Sequence, residues 1–222
     1  MTASAFPSPS ERDPLQRELL RLEQDVLRMG ALVEQSFRLS HQALFDRDLA
    51  AAEAIPLLDK QIDRFYRRIE ADCVVSMSLQ TPVARDSRLL GALMQLVRDL
   101  ERIGDYAKDL AEIAMKLFVY PPHDCMPEME KMSRHARAML AQSLMALANL
   151  DAQAGLQMKE QDTTVDDAYD RLYCKLAYQR DFKGVLEPVL LLVLSIRHLE
   201  RMADHATNIG QRVAYIVTGV RS

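Results

Sequence analysis

Arg98-Asp99-Leu100-Glu101-Arg102-Ile103-Gly104-Asp105 decides the fold, because a second copy lies further along the chain. Residues 197–204 read Arg-His-Leu-Glu-Arg-Met-Ala-Asp, 99 positions later in a chain of 222 residues. Arg98 matches Arg197, Leu100 matches Leu199, Glu101 matches Glu200, Arg102 matches Arg201, and Asp105 matches Asp204; beyond the octapeptide Ala107 matches Ala206. Each copy sets two carboxylates at i and i+4, on one face of a helix. Like charges so placed cost a helix roughly 0.2–0.5 kcal/mol. One such pair is an ordinary solvated face; the same pair repeated in register implies a use.

Outward from the first copy, Leu89, Leu93, Leu96, Leu100, Ile103, Ala107, Leu110, Ala114 and Leu117 recur at alternating steps of four and three. This heptad-type seam predicts a helix over 83–118, on the order of 54 Å long. Glu101 and Asp105 flank the seam and so can face a neighbouring helix. Around the second copy, Leu192, Ser195, Leu199, Met202, Ala206, Ile209, Val213 and Ile216 form the same pattern, opened by Glu187-Pro188 and stopped by Gly219.

Asp13-Pro14 reads as an N-cap with proline at the first helical position. The stripe from Leu15 through Val26 and Phe37 to Leu44 predicts a first helix ending near Asp46–Asp48. A second helical region starts at about Asp48, with Pro56 interrupting it or marking the first turn of its main part. Leu58, Ile62, Phe65, Ile69 and Cys73 line one side, with Asp59 and Asp63 beside them at i,i+4. Tyr120-Pro-Pro-His-Asp-Cys-Met-Pro127 breaks the pattern. A fourth helix is expected from near Glu128, a break around Asp151–Gly155, and a fifth helix over 160–179. There Asp162 and Asp166 repeat the Asp59/Asp63 spacing at an offset of 103 residues. Asp181–Gly184 reads as a short connection.

These elements predict an all-α fold, a tandem repeat of two antiparallel three-helix bundles with six main helices. The organisation read from the sequence is a flexible tail over 1–12, a first bundle over 13–120, a proline-rich linker over 121–127 and a second bundle over 128–222. One six-helix bundle is the alternative.

A formal net charge of −4 disfavours direct nucleic-acid binding through a basic face. The three cysteines, Cys73, Cys125 and Cys174, form no paired motif, and with no secretory segment at the start they read as reduced cytosolic thiols. The apolar run Pro188–Ile196 is shorter than the roughly 20 residues a bilayer needs, so no membrane insertion is expected. No phosphate loop, His-Glu-x-x-His or Gly-x-Gly-x-x-Gly is present. The Glu-x-x-His spacing of di-iron carboxylate bundles is also missing, which disfavours an oxidase.

What remains is acidic. Asp59, Asp63, Glu101 and Asp105 in the first repeat, and Asp162, Asp166, Glu200 and Asp204 in the second, can meet across antiparallel helices. Four carboxylates left unpaired repel one another. A multivalent cation is the natural counter-charge, and an all-oxygen site suits Mg, Mn, Fe or Ca. His205, next to Asp204, would make Fe or Zn easier. Against this, Arg98, Arg102, Arg197 and Arg201 surround the two acidic motifs and can neutralise them as plain salt bridges. From the residues alone, metal site and charge-laced surface both stand.

Arg98-Asp-Leu-Glu-Arg-Ile-Gly-Asp-Tyr-Ala and Arg197-His-Leu-Glu-Arg-Met-Ala-Asp-His-Ala-Thr-Asn-Ile resemble the signature of the PhoU family of phosphate-uptake regulators. Arg28-Met29-Gly30, Val33-Glu34 and Thr81-Pro82-Val83-Ala84-Arg85-Asp86 extend the resemblance over about Leu15 to Gly219. Tyr106 stands where the motif commonly has histidine. The resemblance implies two similar three-helix bundles whose acidic motifs hold metal ions, in some members as multinuclear iron or zinc clusters. Carried over, the ligands are Asp59/Asp63, Glu101/Asp105, Asp162/Asp166 and Glu200/Asp204. It implies a cytoplasmic protein that restrains the phosphate-starvation response and links the phosphate ABC transporter to a sensor histidine kinase. Location at the inner face of the membrane through protein partners fits that role, and a homodimer is expected. Two other readings compete: a metal-dependent enzyme with a carboxylate-ligated polynuclear site, and a metal-free helical scaffold.

Overall fold

The computed structural model describes residues 14–79, 84–179 and 184–220. Six helices follow in order: α1 (Pro14–Phe45), α2 (Leu49–Leu79), α3 (Ala84–Leu117), α4 (Met126–Asn149), α5 (Ala152–Ala177) and α6 (Glu187–Thr218). No strand occurs among the described residues, and the all-α expectation holds. The tail over 1–12, the Asp13 cap and the Thr81-Pro82-Val83 segment lie outside the described residues, as does most of the Asp181–Gly184 connection.

Helices α1, α2 and α3 pack on one another, as do α4, α5 and α6; α3 also packs along α6 and α1 along α4. One apolar core therefore runs through all six, from Leu22 and Phe37 through Leu96 and Ile103 to Met139, Leu172 and Leu199. Sharing of this kind has a signature in α3. Besides the expected seam, Leu90, Val97 and Ala111 are buried, because α3 meets α1 and α2 on one side and α6 on the other. A two-partner helix needs a wider apolar face than a single coiled-coil seam supplies.

Several boundaries differ from the sequence reading. Pro56 neither interrupts nor starts α2 but lies inside it. The helix begins at Leu49, where the Asp48 carboxylate accepts from the Ala51 N–H at 3.1 Å. Pro56 has no N–H for the Ala52 carbonyl, and it lies on an exposed face of the helix. Helix α4 starts at Met126 and takes Pro127 into its first turn, where a missing N–H leaves no bond unmade. Helix α5 starts at Ala152, eight residues before the expected position, with Asp151 capping the Ala154 N–H at 3.0 Å. The reversal before it is made by Leu150, at φ +49°, so Gly155 is free to serve inside the helix. At the α1–α2 turn, Arg47 donates to the Tyr120 carbonyl at 3.0 Å and to that of Phe118. It also lies over the Phe118 ring, tying the end of α3 to that turn.

Candidate metal centre

Asp162 and Asp166 stand one turn apart on α5, and Glu200 and Asp204 one turn apart on α6. The apolar residues beside them, Val165 on α5 and Leu199 and Ala203 on α6, are fully buried and hold the two helices face to face. A glycine pair lets the helices come close. A Cβ built on Gly155 would overlap the Gly210 carbonyl oxygen, and one on Gly210 would fall 2.6 Å from the Gly155 carbonyl. In consequence, one carboxylate oxygen each of Asp162, Asp166 and Asp204 gathers within 4.8 Å of the other two.

The electrostatics follow from that crowding. Burial pushes the Asp162 carboxyl up to about 6, and the charges of Asp166 and Asp204 add to it; the Thr207 hydroxyl and Lys159 act the other way. Asp166 is raised by burial and then by Asp204. Glu200 is raised by burial and by Asp204, against Arg197 and Arg201. Arg197 donates to Glu200 Oε1 at 2.6 Å and Arg201 to Asp204 Oδ2 at 2.7 Å. Glu200 Oε2 stays buried without a hydrogen-bond partner, and so do Asp162 Oδ1 and the neighbouring Thr207 hydroxyl. Buried acceptors in such a state are uncommon and call for a ligand or ion.

In the first repeat the four acids also influence one another across two helices, but they converge less closely. Glu101 is raised by burial, then by Asp105 and Asp63; Asp105 is raised by burial, then by Asp59 and Asp63. Asp59 and Asp63 on α2 thus share a field with Glu101 and Asp105 on α3. One difference separates the clusters. Lys108 Nζ donates to Asp59 Oδ2 at 2.9 Å, while Asp63 and Asp105 lie 3.7 and 3.6 Å from Arg67 and Arg102. Among the described residues, only the second repeat brings three ligand atoms together within 4.8 Å.

The flanking residues divide. Arg98 is exposed, whereas Arg102, Arg197 and Arg201 pair with the acids three positions along. His205 turns to α3, its Nδ1 lying 2.9 Å from Asp99 Oδ1. Asp99 is 6% exposed and also accepts from Arg212 at 2.9 Å. Its repeat mate His198 faces back across the same interface, its ring tilted against that of Tyr106 at 5.3 Å and lying 4.0 Å from Asp109. Asp99 with His205 and His198 with Tyr106 are thus related by the 99-residue offset. Sequence spacing does not single out Lys108, Thr207, Asp99 and His198. The one available signal is that these are the matched positions where the two repeats differ in chemistry.

Fold and site define a class: an all-α protein made of a repeated three-helix unit, each repeat facing a pair of acidic helix motifs across a seam. The sequence model of the PhoU domain matches residues 26–114 and 129–213. A Synechocystis protein described as a phosphate-specific transport system accessory protein PhoU homolog is 64% identical, over 95% of this chain and 94% of its own. The Pseudomonas aeruginosa homolog is 33% identical over 91% of this chain and 84% of its own. Among solved structures, PhoU from Pseudomonas aeruginosa superposes with a TM-score of 0.88, covering 92% of this chain and 99% of that one. The phosphate transport system regulatory protein PhoU from Streptococcus pneumoniae, 27% identical, gives 0.85 over 94% and 99%. This chain belongs to the PhoU family.

Proposed function

We propose that this chain is a non-enzymatic, metal-binding regulator of phosphate uptake. In this reading it couples a phosphate ABC transporter to a sensor histidine kinase and holds the phosphate-starvation regulon down when phosphate is plentiful. The regulatory part is supported by the names of relatives, which describe accessory and regulatory proteins of phosphate transport. No helix among the described residues is long and apolar enough to cross a membrane. The proposal has it act in the cytoplasm, reaching the inner face of the membrane through its partners, and as a homodimer. Light scattering tests the last point against a chain mass of 25.2 kDa.

The metal part is carried by one observation: Asp162, Asp166 and Asp204 converge while Asp162 Oδ1 and Glu200 Oε2 lie buried without partners. An oxygen donor set with spare buried lone pairs fits a hard or borderline ion such as Fe, Zn, Mn or Mg. Asp162, Asp166, Glu200 and Asp204 would hold it, and Asp59, Asp63, Glu101 and Asp105 would form the counterpart in the first repeat. The bound ion would supply positive charge that lets carboxylates on two helices share one site. Arg197 and Arg201 aim the α6 carboxylates by holding one oxygen of each.

Deletion of the gene in its host tests the regulatory reading: a phosphate-regulon reporter should rise in phosphate-replete medium. Unchanged repression overturns it. Complementation with a D162A/D166A/D204A variant should restore repression only in part. Full restoration, with elemental analysis finding no metal in the native protein, overturns the metal part.

A further inference from the structure

The two acidic clusters carry the same four carboxylates but not the same seventh neighbour. Counting from the glutamate of each motif, Lys108 stands at i+7 from Glu101, and Thr207 at i+7 from Glu200. In a helix, i, i+4 and i+7 share a face, so this position looks at the same opposing aspartate in each repeat. The structure bears that out. Lys108 donates to Asp59 at 2.9 Å, and Thr207 lies against Asp162, the residue that matches Asp59 at the 103-residue offset. An ammonium therefore reaches into the first cluster where the second has a neutral hydroxyl. The consequence is visible in the acids themselves, since Asp162 keeps a buried oxygen without a partner. Both clusters have arginine pairs at their rims, so the arginines do not account for the difference.

We propose that Lys108 is the resident cation of the first acidic cluster, so that this chain loads metal ions at Asp162, Asp166, Glu200 and Asp204 in preference to Asp59, Asp63, Glu101 and Asp105. This rests on the metal reading above and sharpens it: the tandem repeat is sequence-symmetric but offers one strong site and one self-neutralised site. A metal ion entering the first cluster must displace the ammonium or tolerate its repulsion at a few ångströms. The Lys108 side chain is 39% exposed, so it lowers the affinity of that cluster rather than sealing it. Two backbone features work in the same direction. The glycine contact that draws α5 onto α6 is Gly155 with Gly210, and the matched positions of the first repeat are Ala52 and Ala111.

The test is a Mn²⁺ titration of chelator-treated full-length protein, with free Mn²⁺ counted by its electron paramagnetic resonance and Zn²⁺ run in parallel by calorimetry. The tight ions of the wild type should vanish in D162N and persist in D59N. K108T, which installs the residue of the second repeat, and K108Q, which keeps the length and removes the charge, should each add a second set of ions. First-cluster affinity in both should rise at least about tenfold, and adding D59N should abolish the gain. T207K should weaken the wild-type site by a similar factor; circular dichroism melts confirm that each variant is folded, and the two Lys108 variants carry the test if T207K is not. Equal loading of both clusters in the wild type overturns the proposal, as does unchanged first-cluster affinity in K108T and K108Q. Binding of neither ion by any variant overturns the metal reading itself.

Discussion

At the scale of single residues, Asp162 gives the sharpest consequence. Its carboxyl is pushed up to about 6, from an ordinary value of 3.8, by burial first and then by Asp166 and Asp204. In chelator, the folded chain therefore keeps a proton on Asp162 between roughly pH 4 and 6, where the unfolded chain has lost it. The resulting stabilisation is complete below pH 4, is lost as pH rises through 6, and stays lost at neutrality. D162N cannot titrate, so at pH 7 the metal-free variant should be more stable than the wild type. We expect about 1–2 kcal/mol, a figure discounted for the solvent that reaches the site, and convergence of the two proteins by pH 4. Urea denaturation across that range measures it; a difference that is constant with pH would show that Asp162 does not titrate as described. Saturating metal should reverse the order, because the variant loses a ligand. The acids themselves were legible in the sequence, since i,i+4 placement on a helix is a property of backbone geometry alone. Lys108 and Asp99 were not. Whether a side chain meets a partner depends on the rotation and register of the packed helices, and spacing does not set apart Asp99, 6% exposed, from a solvated acid.

At the scale of helices, glycine and proline show where local signals mislead. Gly155 reads as part of a break, yet it lies inside α5 at its contact with α6. Pro56 reads as an interruption or a helix start, yet α2 runs through it. In both cases the tertiary packing of a long amphipathic element outweighs the local preference of one residue. The long stripes, by contrast, carry many residues each, and α1, α3 and α6 end within a few residues of their expected limits. Two substitutions separate the readings of glycine. Gly155→Ala would be neutral or helpful in a helix start, but here its Cβ meets backbone, which cannot rotate away. The helices must part, costing about 1–3 kcal/mol. The same movement would loosen Asp162 from Asp204, so Mn²⁺ affinity should fall with stability. Gly91→Ala, in α3 with nothing within 4 Å of its would-be Cβ, should instead stabilise by about 0.5–1 kcal/mol. Thermal melts of both variants check the pair; a Gly155→Ala protein as stable as the wild type would remove the close approach from the account.

For the whole molecule, the question is whether two repeats mean two independently folding units. The repeat is plain in the sequence, but its packing is not, because an internal copy says nothing about which outer faces are apolar enough to meet. The structure runs one core through all six helices and lines the α3–α6 contact with a polar set built on buried Asp99: Asp99 with the half-buried His205 and Arg212, and half-buried His198 with Tyr106. Arg212 donates to Gln95 as well, so the bond network of Asp99 continues to the rim of the interface. Apolar burial is worth roughly 1.5–3 kcal/mol per large side chain and joins the repeats without choosing a register. A charged group 8% exposed at its side chain does choose, since sliding α3 along α6 would strand it. We therefore expect metal-free protein to unfold in a single calorimetric transition whose van't Hoff and calorimetric enthalpies agree. Asp99→Ala should destabilise by about 2 kcal/mol; sealed pairs cost 3–5, but Arg212 is 30% exposed and can turn to water. The loss should act on the contact between repeats, so the variant should show a second, earlier transition or faster cleavage by protease in the 118–125 connection. Two resolved transitions already present in the wild type would mean that the shared core does not couple the repeats.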